Sequence, residues 1–235
     1  MGCKIEITYF PFVIAAKMLI AVCISVICTV PTFAQNVVPA HDTLSADQVN
    51  SSFTTLSGPE IEESTPGQLE LNETITFKAP TGYEWDTGGS QPTVTTEPNN
   101  SFGFTQLDLS FVSRNATEIT FRVDQESGSF FFTPLPGIAV FENMRIRPTE
   151  GLLPNEGNIK NIGTTGPTGT TNYGTLTMVA GNAAGLAFKR QPSDATVSEP
   201  IAPSVQVQLK DQFGNNVKTS GTAVSISLAS GTGTI

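Results

Sequence analysis

The sequence predicts an all-β chain, built of β-sandwich modules in series with the second one incomplete. Three observations predict it. Apolar residues recur at period two: Val205, Val207 and Leu209 alternate with Gln206, Gln208 and Lys210, and Val224, Ile226 and Leu228 alternate with Ser225, Ser227 and Ala229. Such alternation marks a strand with one buried and one wet face. Turn residues interrupt the apolar runs at short intervals, which suits a sandwich better than a helical or α/β domain. Only 14% of the 235 residues are charged, while Thr, Ser, Gly, Asn and Pro are plentiful, a composition poor in helix formers.

Residues 1–34 read as a signal peptide. Lys17 precedes an apolar run from Met18 to Val30, and Thr32 and Ala34 are the small residues of a cleavage site, with the cut after Ala34. The run is short for a membrane span of ~20 residues, so no span is expected in the mature chain. Met18 is an alternative start to Met1. Cys23 and Cys28 follow Val22 and Ile27, where a lipid-anchoring signal needs a small residue. The third cysteine, Cys3, also lies in the leader. The mature chain therefore has no disulfide, thiolate metal site or cysteine nucleophile, and its stability must come from core burial. The net charge is −9, and cleavage leaves about −10. Phosphate backbones repel that sign, so no nucleic-acid partner is expected.

Residues 35–50 read as a flexible polar lead-in, and residues 45–49 are compatible with one helical turn. It holds the only histidine, His41. A lone histidine in a loose segment reads as solvated, which leaves little for a histidine-based triad.

Residues 51–181 read as the first β-sandwich module. Strand regions are expected at 68–79, where Leu69, Leu71, Ile75 and Phe77 fall, and then around Tyr83 and Trp85. Others follow at 93–97, 107–112, 118–124, 129–133, 137–141, 144–147 and 174–178. Residues 182–185, Asn-Ala-Ala-Gly, form a short joint with limited swing. Residues 186–235 supply only the opening strands of a second sandwich. A tight turn at 211–216, Asp-Gln-Phe-Gly-Asn-Asn, follows the alternating run that ends at Lys210. Pro192, Pro200 and Pro203 fall outside the alternating runs, where a missing N–H costs no ladder bond.

The second stretch carries a resemblance. The pattern L-x-F-x-x-Q-P from Leu186, the core I-x-P-x-V-x-V-x-L-x-D-x-x-G-N-x-V from Ile201, and A-V-S-I-S-L from Ala223 resemble the opening of bacterial Ig-like, invasin-type domains found in tandem in large surface proteins. The resemblance implies an Ig-like β-sandwich, truncated here, with further Ig-like domains downstream in the parent protein. About 50 residues fall short of the ~100 that such a sandwich takes, and two edges stay open. The first module has its own pieces: L-x-G-P-x-I-x-E from Leu56, I-T-F-K-A-P-T-G-Y-E-W from Ile75, I-R-P-T-E-G from Ile146 and T-N-Y-G-T-L-T-M-V-A-G from Thr171. They are similar to an uncharacterised β-module that precedes Ig-like domains, which implies architecture and no chemistry.

Four features bear on function. Tyr83 and Trp85, beside Glu84 and Asp86, are the candidate ligand-binding residues, since exposed rings next to carboxylates stack on sugars. At i and i+2 they share one strand face, and the core reading is the stronger one. The acidic sets Glu60, Glu62, Glu63 and Glu70, and Asp124 with Glu126, raise calcium, which needs six to eight convergent oxygens. No EF-hand-like loop is present, and solvated acidic faces explain the sets better. Calcium at the joint, with Asp211 as a ligand, has no further support. No carboxylate pair for glycoside hydrolysis is singled out by spacing. The triplets at Asn50, Asn72 and Asn115 fit the N-glycosylation pattern, which chance supplies in such a composition. The reading is thus a non-enzymatic structural or adhesive segment, secreted or on the cell surface, without cofactors, with surface glycans or proteins as partners. The alternatives are a carbohydrate-binding module of an exported enzyme and an inert spacer.

Overall fold

Period-two patterns become strands only where another backbone accepts their N–H and C=O groups. In a computed structural model, residues 35–97, 107–128, 136–196, 198–227 and 230 are described. Fifteen strands form among them. They are β1 (Asn36–Val38), β2 (Ala40–Ser45), β3 (Thr54–Thr55), β4 (Glu60–Glu62), β5 (Thr74–Lys78), β6 (Tyr83–Trp85), β7 (Thr93–Glu97) and β8 (Asp108–Arg114). The rest are β9 (Glu118–Gln125), β10 (Ile138–Glu142), β11 (Arg145–Pro148), β12 (Glu156–Asn161), β13 (Gly174–Val179), β14 (Gly185–Arg190) and β15 (Gln206–Lys210). The fold is all-β. Among the described residues the only helical element is a single 3-10 turn, Ala46–Gln48, and no helix is long and apolar enough to cross a membrane.

A six-stranded sheet runs β2-β13-β12-β5-β9-β8, a four-stranded sheet β1-β4-β10-β7, and a three-stranded sheet β3-β11-β6. The core lies between sheets. Phe77 and Phe121 point in from β5 and β9, and Phe141 meets them from β10, with ring centroids 4.7 and 4.8 Å apart in edge-on geometry. Edge-to-face contacts add about 0.5–1.5 kcal/mol per pair beyond buried area. Tyr173 tilts against Phe77 at 5.3 Å and donates its hydroxyl to the carbonyl of Pro167. Burial pushes that phenol well above its ordinary range.

The expected strands at 93–97, 107–112, 118–124, 137–141, 144–147 and 174–178 are present within one or two residues of those bounds. The region expected over 68–79 is a strand only from Thr74. Before it, Glu70–Glu73 is a turn closed by Glu73 N–H on Glu70 C=O, with Asn72 at φ 65° and Leu71 48% exposed. The strand expected at 129–133 and the expected signal peptide, residues 1–34, lie outside the described residues.

Two expectations are corrected. Residues 35–50 are no flexible lead-in. β1 pairs with β4, and β2 lies parallel to β13 from Ala40↔Gly174 to Leu44↔Met178. Ala40, Leu44 and Ala46 are buried, and Ser45 caps the 3-10 turn in a capping box with Gln48. Asp42 sits between Ala40 and Leu44 on the inward face, which breaks the apolar alternation that would have announced the strand. The second correction concerns residues 224–229. Those of them that are described are not in a strand, and Val224 and Ile226 are 40% and 62% exposed. A strand needs a ladder partner, and among the described residues this stretch has none.

β14 and β15 form a separate antiparallel ribbon. Leu186 stands opposite Leu209 and Phe188 opposite Val207. Leu186 and Phe188 remain more than half exposed, because no second layer covers that face among the described residues.

Candidate functional site

The sequence placed its ligand candidates on β6. The structure puts both rings inside. Tyr83 is 5% exposed and Trp85 1%. β6 pairs with β11, Tyr83 opposite Pro148 and Trp85 opposite Ile146. The Tyr83 hydroxyl donates to the carbonyl of Asn155 at 2.9 Å. Burial, and then the charge of Glu156, push its pKa up to about 12. Stacking on a sugar needs an accessible ring face, and neither residue offers one. They are core residues, which agrees with the stronger of the two readings of the sequence, and the weaker ligand-binding reading is corrected.

The opposite face of β6 is charged: Glu84 is half-buried on it, and Asp86, just past the strand, is 7% exposed. Arg147 pairs with Glu84 at 2.6 Å and Arg145 with Asp86 at 2.5 Å. Phe53 lies beneath both guanidinium groups, at 4.3 Å from Arg147 and 5.7 Å from Arg145, within cation–π range. Asp86 also accepts the backbone N–H groups of Gly88 and Gly89. Each cation here has an anion, so this face is neutralised within the chain.

The acidic sets diverge. Glu60 and Glu62 point outward from β4, while Glu63 turns inward and is 1% exposed. Its carboxylate accepts from the N–H groups of Leu69 and Gly137 at 2.8 Å each and from the hydroxyl of Ser127. Glu70 is exposed. Asp124 pairs with Arg122, and Glu126 accepts the N–H of Leu71 at 2.6 Å. Among the described residues no three His, Cys, Asp or Glu side chains are grouped to hold a metal ion. His41 is exposed on β2. Asn50, Asn72 and Asn115 are also exposed; the first two lie at turns with positive φ, and Asn115 closes a turn through its own Oδ1.

The densest polar geometry lies beside the short segment at 182–185, and the sequence signalled it only through the D-x-x-G-N turn. Asp211 is 4% exposed. Its Oδ1 accepts from the N–H groups of Phe213 and Asn215 at 2.9 and 2.8 Å. Its Oδ2 accepts from Gly181 N–H at 2.9 Å and Asn215 Nδ2 at 2.8 Å. Four donors take up the two oxygens. This arrangement suits a structural pin, and the calcium role raised for Asp211 is replaced by it.

Burial alone would raise the Asp211 carboxyl, but hydrogen bonds from the Asn215 side chain and from the Gly181, Asn215 and Phe213 backbones outweigh it and hold the group below the ordinary 3.8. Asp86 is likewise raised by burial and lowered further by Gly88, Gly89, Arg145 and Arg114, with a net shift downward. A carboxyl with a depressed folded pKa contributes stability that is complete above its unfolded pKa and is lost as pH falls through the folded one. Asp42 has the opposite sign: burial raises it, so it costs stability above the ordinary value and that cost fades in acid. Asp124 is lowered as well, by hydrogen bonds from Ser110 and Arg122, and three depressed groups against one raised group predict a melting temperature that drops as pH falls below about 4. Asp211→Asn is expected to lower the melt at pH 7 and to make that acid drop shallower. A drop equally steep in wild type and variant would remove Asp211 from the account.

Comparison of the chain with family models, with curated proteins and with solved structures found no match.

Proposed function

We propose that this chain is a non-enzymatic structural or adhesive segment of an exported bacterial surface protein. The observation that carries the proposal is where the aromatic and acidic side chains are spent. The large rings of β5, β6, β9 and β10 fill the core, and the inward carboxylates of Glu63 and Asp211 hold backbone N–H groups. Such a body resists deformation, which suits a stalk or platform. Export is supported by the leader pattern, because the expected cut after Ala34 falls just ahead of β1. The Ig-like resemblance of residues 186–235 adds the expectation of further sandwiches in the parent protein.

The test has two parts. Expressed with its leader in a bacterial host, the chain should reach the periplasm or medium with Gln35 as its first residue, read by intact mass. A cytoplasmic product that keeps residues 1–34 would end the export reading. Secreted protein is then screened on glycan arrays, polysaccharides and immobilised matrix proteins, with calcium and with chelator. The structural and adhesive reading expects no turnover of any glycan and no calcium dependence. Calcium-dependent glycan capture would favour the carbohydrate-binding alternative.

A further inference from the structure

The hydrogen bonds of the 211–215 turn reach beyond the ribbon that carries it. Asn215 donates from Nδ2 to the carbonyl of Gly151 at 2.7 Å and accepts at Oδ1 from the N–H of Leu153 at 2.9 Å. Its amide thus satisfies one backbone acceptor and one donor, as a neighbouring strand would. The ring of Phe213 lies directly over Gly151. A Cβ on that glycine would sit 2.4 Å from the ring carbons, so only glycine lets the ring approach. Gly214, at φ +86°, lets the chain reverse between Phe213 and Asn215. Beside it, Asp47 accepts the backbone and side-chain N–H groups of Asn182 at 2.7 Å each, and Gln212 donates to its other oxygen.

We propose that Gly151, Leu153, Gly181 and Asp47 form a socket on the sandwich body for an Asp-x-Phe-Gly-Asn turn, and that this socket sets the orientation of the β14–β15 ribbon. The physical case is the balance of contacts. The intervening segment is four residues of Asn-Ala-Ala-Gly, whose Gly185 has nothing within 4 Å of where its Cβ would be. Its own ties are those of Asn182 to Asp47 and of Ala184 N–H to the Lys210 carbonyl at 2.7 Å, and only the first reaches the body. The turn supplies a ring against a bare Cα, two hydrogen bonds from the Asn215 amide, and a buried carboxylate that holds its own turn and Gly181 together. A hydrogen bond to a charged group contributes roughly twice what a neutral one does. Together these outweigh a short polar linker. The socket requires no metal. It fits one kind of partner, a tight turn with the acid at its first position, the aromatic at its third and the amide at its fifth. The inference stands whether or not the chain is exported or adhesive.

The test is amide hydrogen exchange on the whole chain, comparing β14 and β15 with the core strands β5 and β9. Gly151→Leu fills the socket from the body side. It should cost the ribbon amides at least tenfold in protection and leave the β5 and β9 amides unchanged. Asn215→Ala, placed on the turn, should do the same without altering the body. Replacing Ala183 and Ala184 together by glycine should leave the ribbon protected. Should Gly151→Leu also loosen the core, Asn215→Ala decides. Ribbon protection that survives Asn215→Ala, or that is lost in the double-glycine variant while Asn215→Ala keeps it, would overturn the proposal.

Discussion

Trp85→Ala should lower the melting temperature by roughly 6–20 °C, the shift expected when about 3–5 kcal/mol is removed from a chain of this size. The indole is 1% exposed and belongs to the same buried cluster as Ile146, Met144 and Leu56. Truncation to alanine removes one of the largest buried side chains and leaves a void that close-packed neighbours fill only in part. The polar part of the indole contributes little, because among the described residues its N–H meets no acceptor. Trp85→Phe should therefore be far milder, on the order of 1–2 kcal/mol for the lost volume alone. Differential scanning calorimetry on the three proteins separates the cases. If Trp85→Ala melts with the wild type while its binding to some glycan is lost, the residue serves a ligand and its core assignment fails.

Glu63→Ala should be about as damaging, near 3–5 kcal/mol, and for an electrostatic reason. Its carboxylate lies inside the protein and joins three separate segments: Leu69 after β4, Ser127 after β9 and Gly137 before β10. Alanine leaves two backbone donors and one hydroxyl buried without an acceptor, and each costs about 1–3 kcal/mol unless water enters. Gly137 makes the site intolerant of rearrangement. A Cβ there would lie 2.8 Å from Leu107 and 3.2 Å from the Glu63 carboxylate. Glu63→Gln keeps the volume but turns an N–H₂ group toward donors, so it should recover only part of the loss. Urea unfolding curves check the order: wild type most stable, then the glutamine variant, then alanine. A wild-type midpoint in the alanine variant would mean that Glu63 stabilises nothing.

Much of the core strand pattern was legible in the chain. Phe77, Phe121 and Phe141 sit in runs whose period of two survives because every inward position is apolar. β2 and β12 went unread because theirs are not. In β2 the inward set is Ala40, Asp42 and Leu44. In β12 the inward set is Gly157, Ile159 and Asn161. A Cβ on Gly157 would meet Pro80 at 2.4 Å, and Asn161 accepts Thr76 N–H and donates to Thr165 C=O. Those residues are chosen by neighbours far away in sequence, so no local window contains the reason for them. β3 and β4 are too short to express a period. The D-x-x-G-N turn was legible as a turn, but its seat on Gly151 was not, because a glycine 62 positions from Phe213 needs only its missing side chain to qualify.

By itself the sequence determined the all-β class, the positions of the strands with uniformly apolar inner faces, the placement of all three cysteines before residue 35, and the pairing of Tyr83 with Trp85 on one strand face. These depend on composition and on the two-residue repeat of a strand, which are local. Tertiary structure alone decided that the face of Tyr83 and Trp85 is the inner one, that Glu63 turns in while Glu60 and Glu62 turn out, that residues 36–45 close the sheets, and that Asp211 serves as a buried pin. Each of these turns on which backbone N–H or side chain arrives from elsewhere in the chain. A carboxylate stays buried only when enough donors converge on it to replace water, and that convergence belongs to the folded chain.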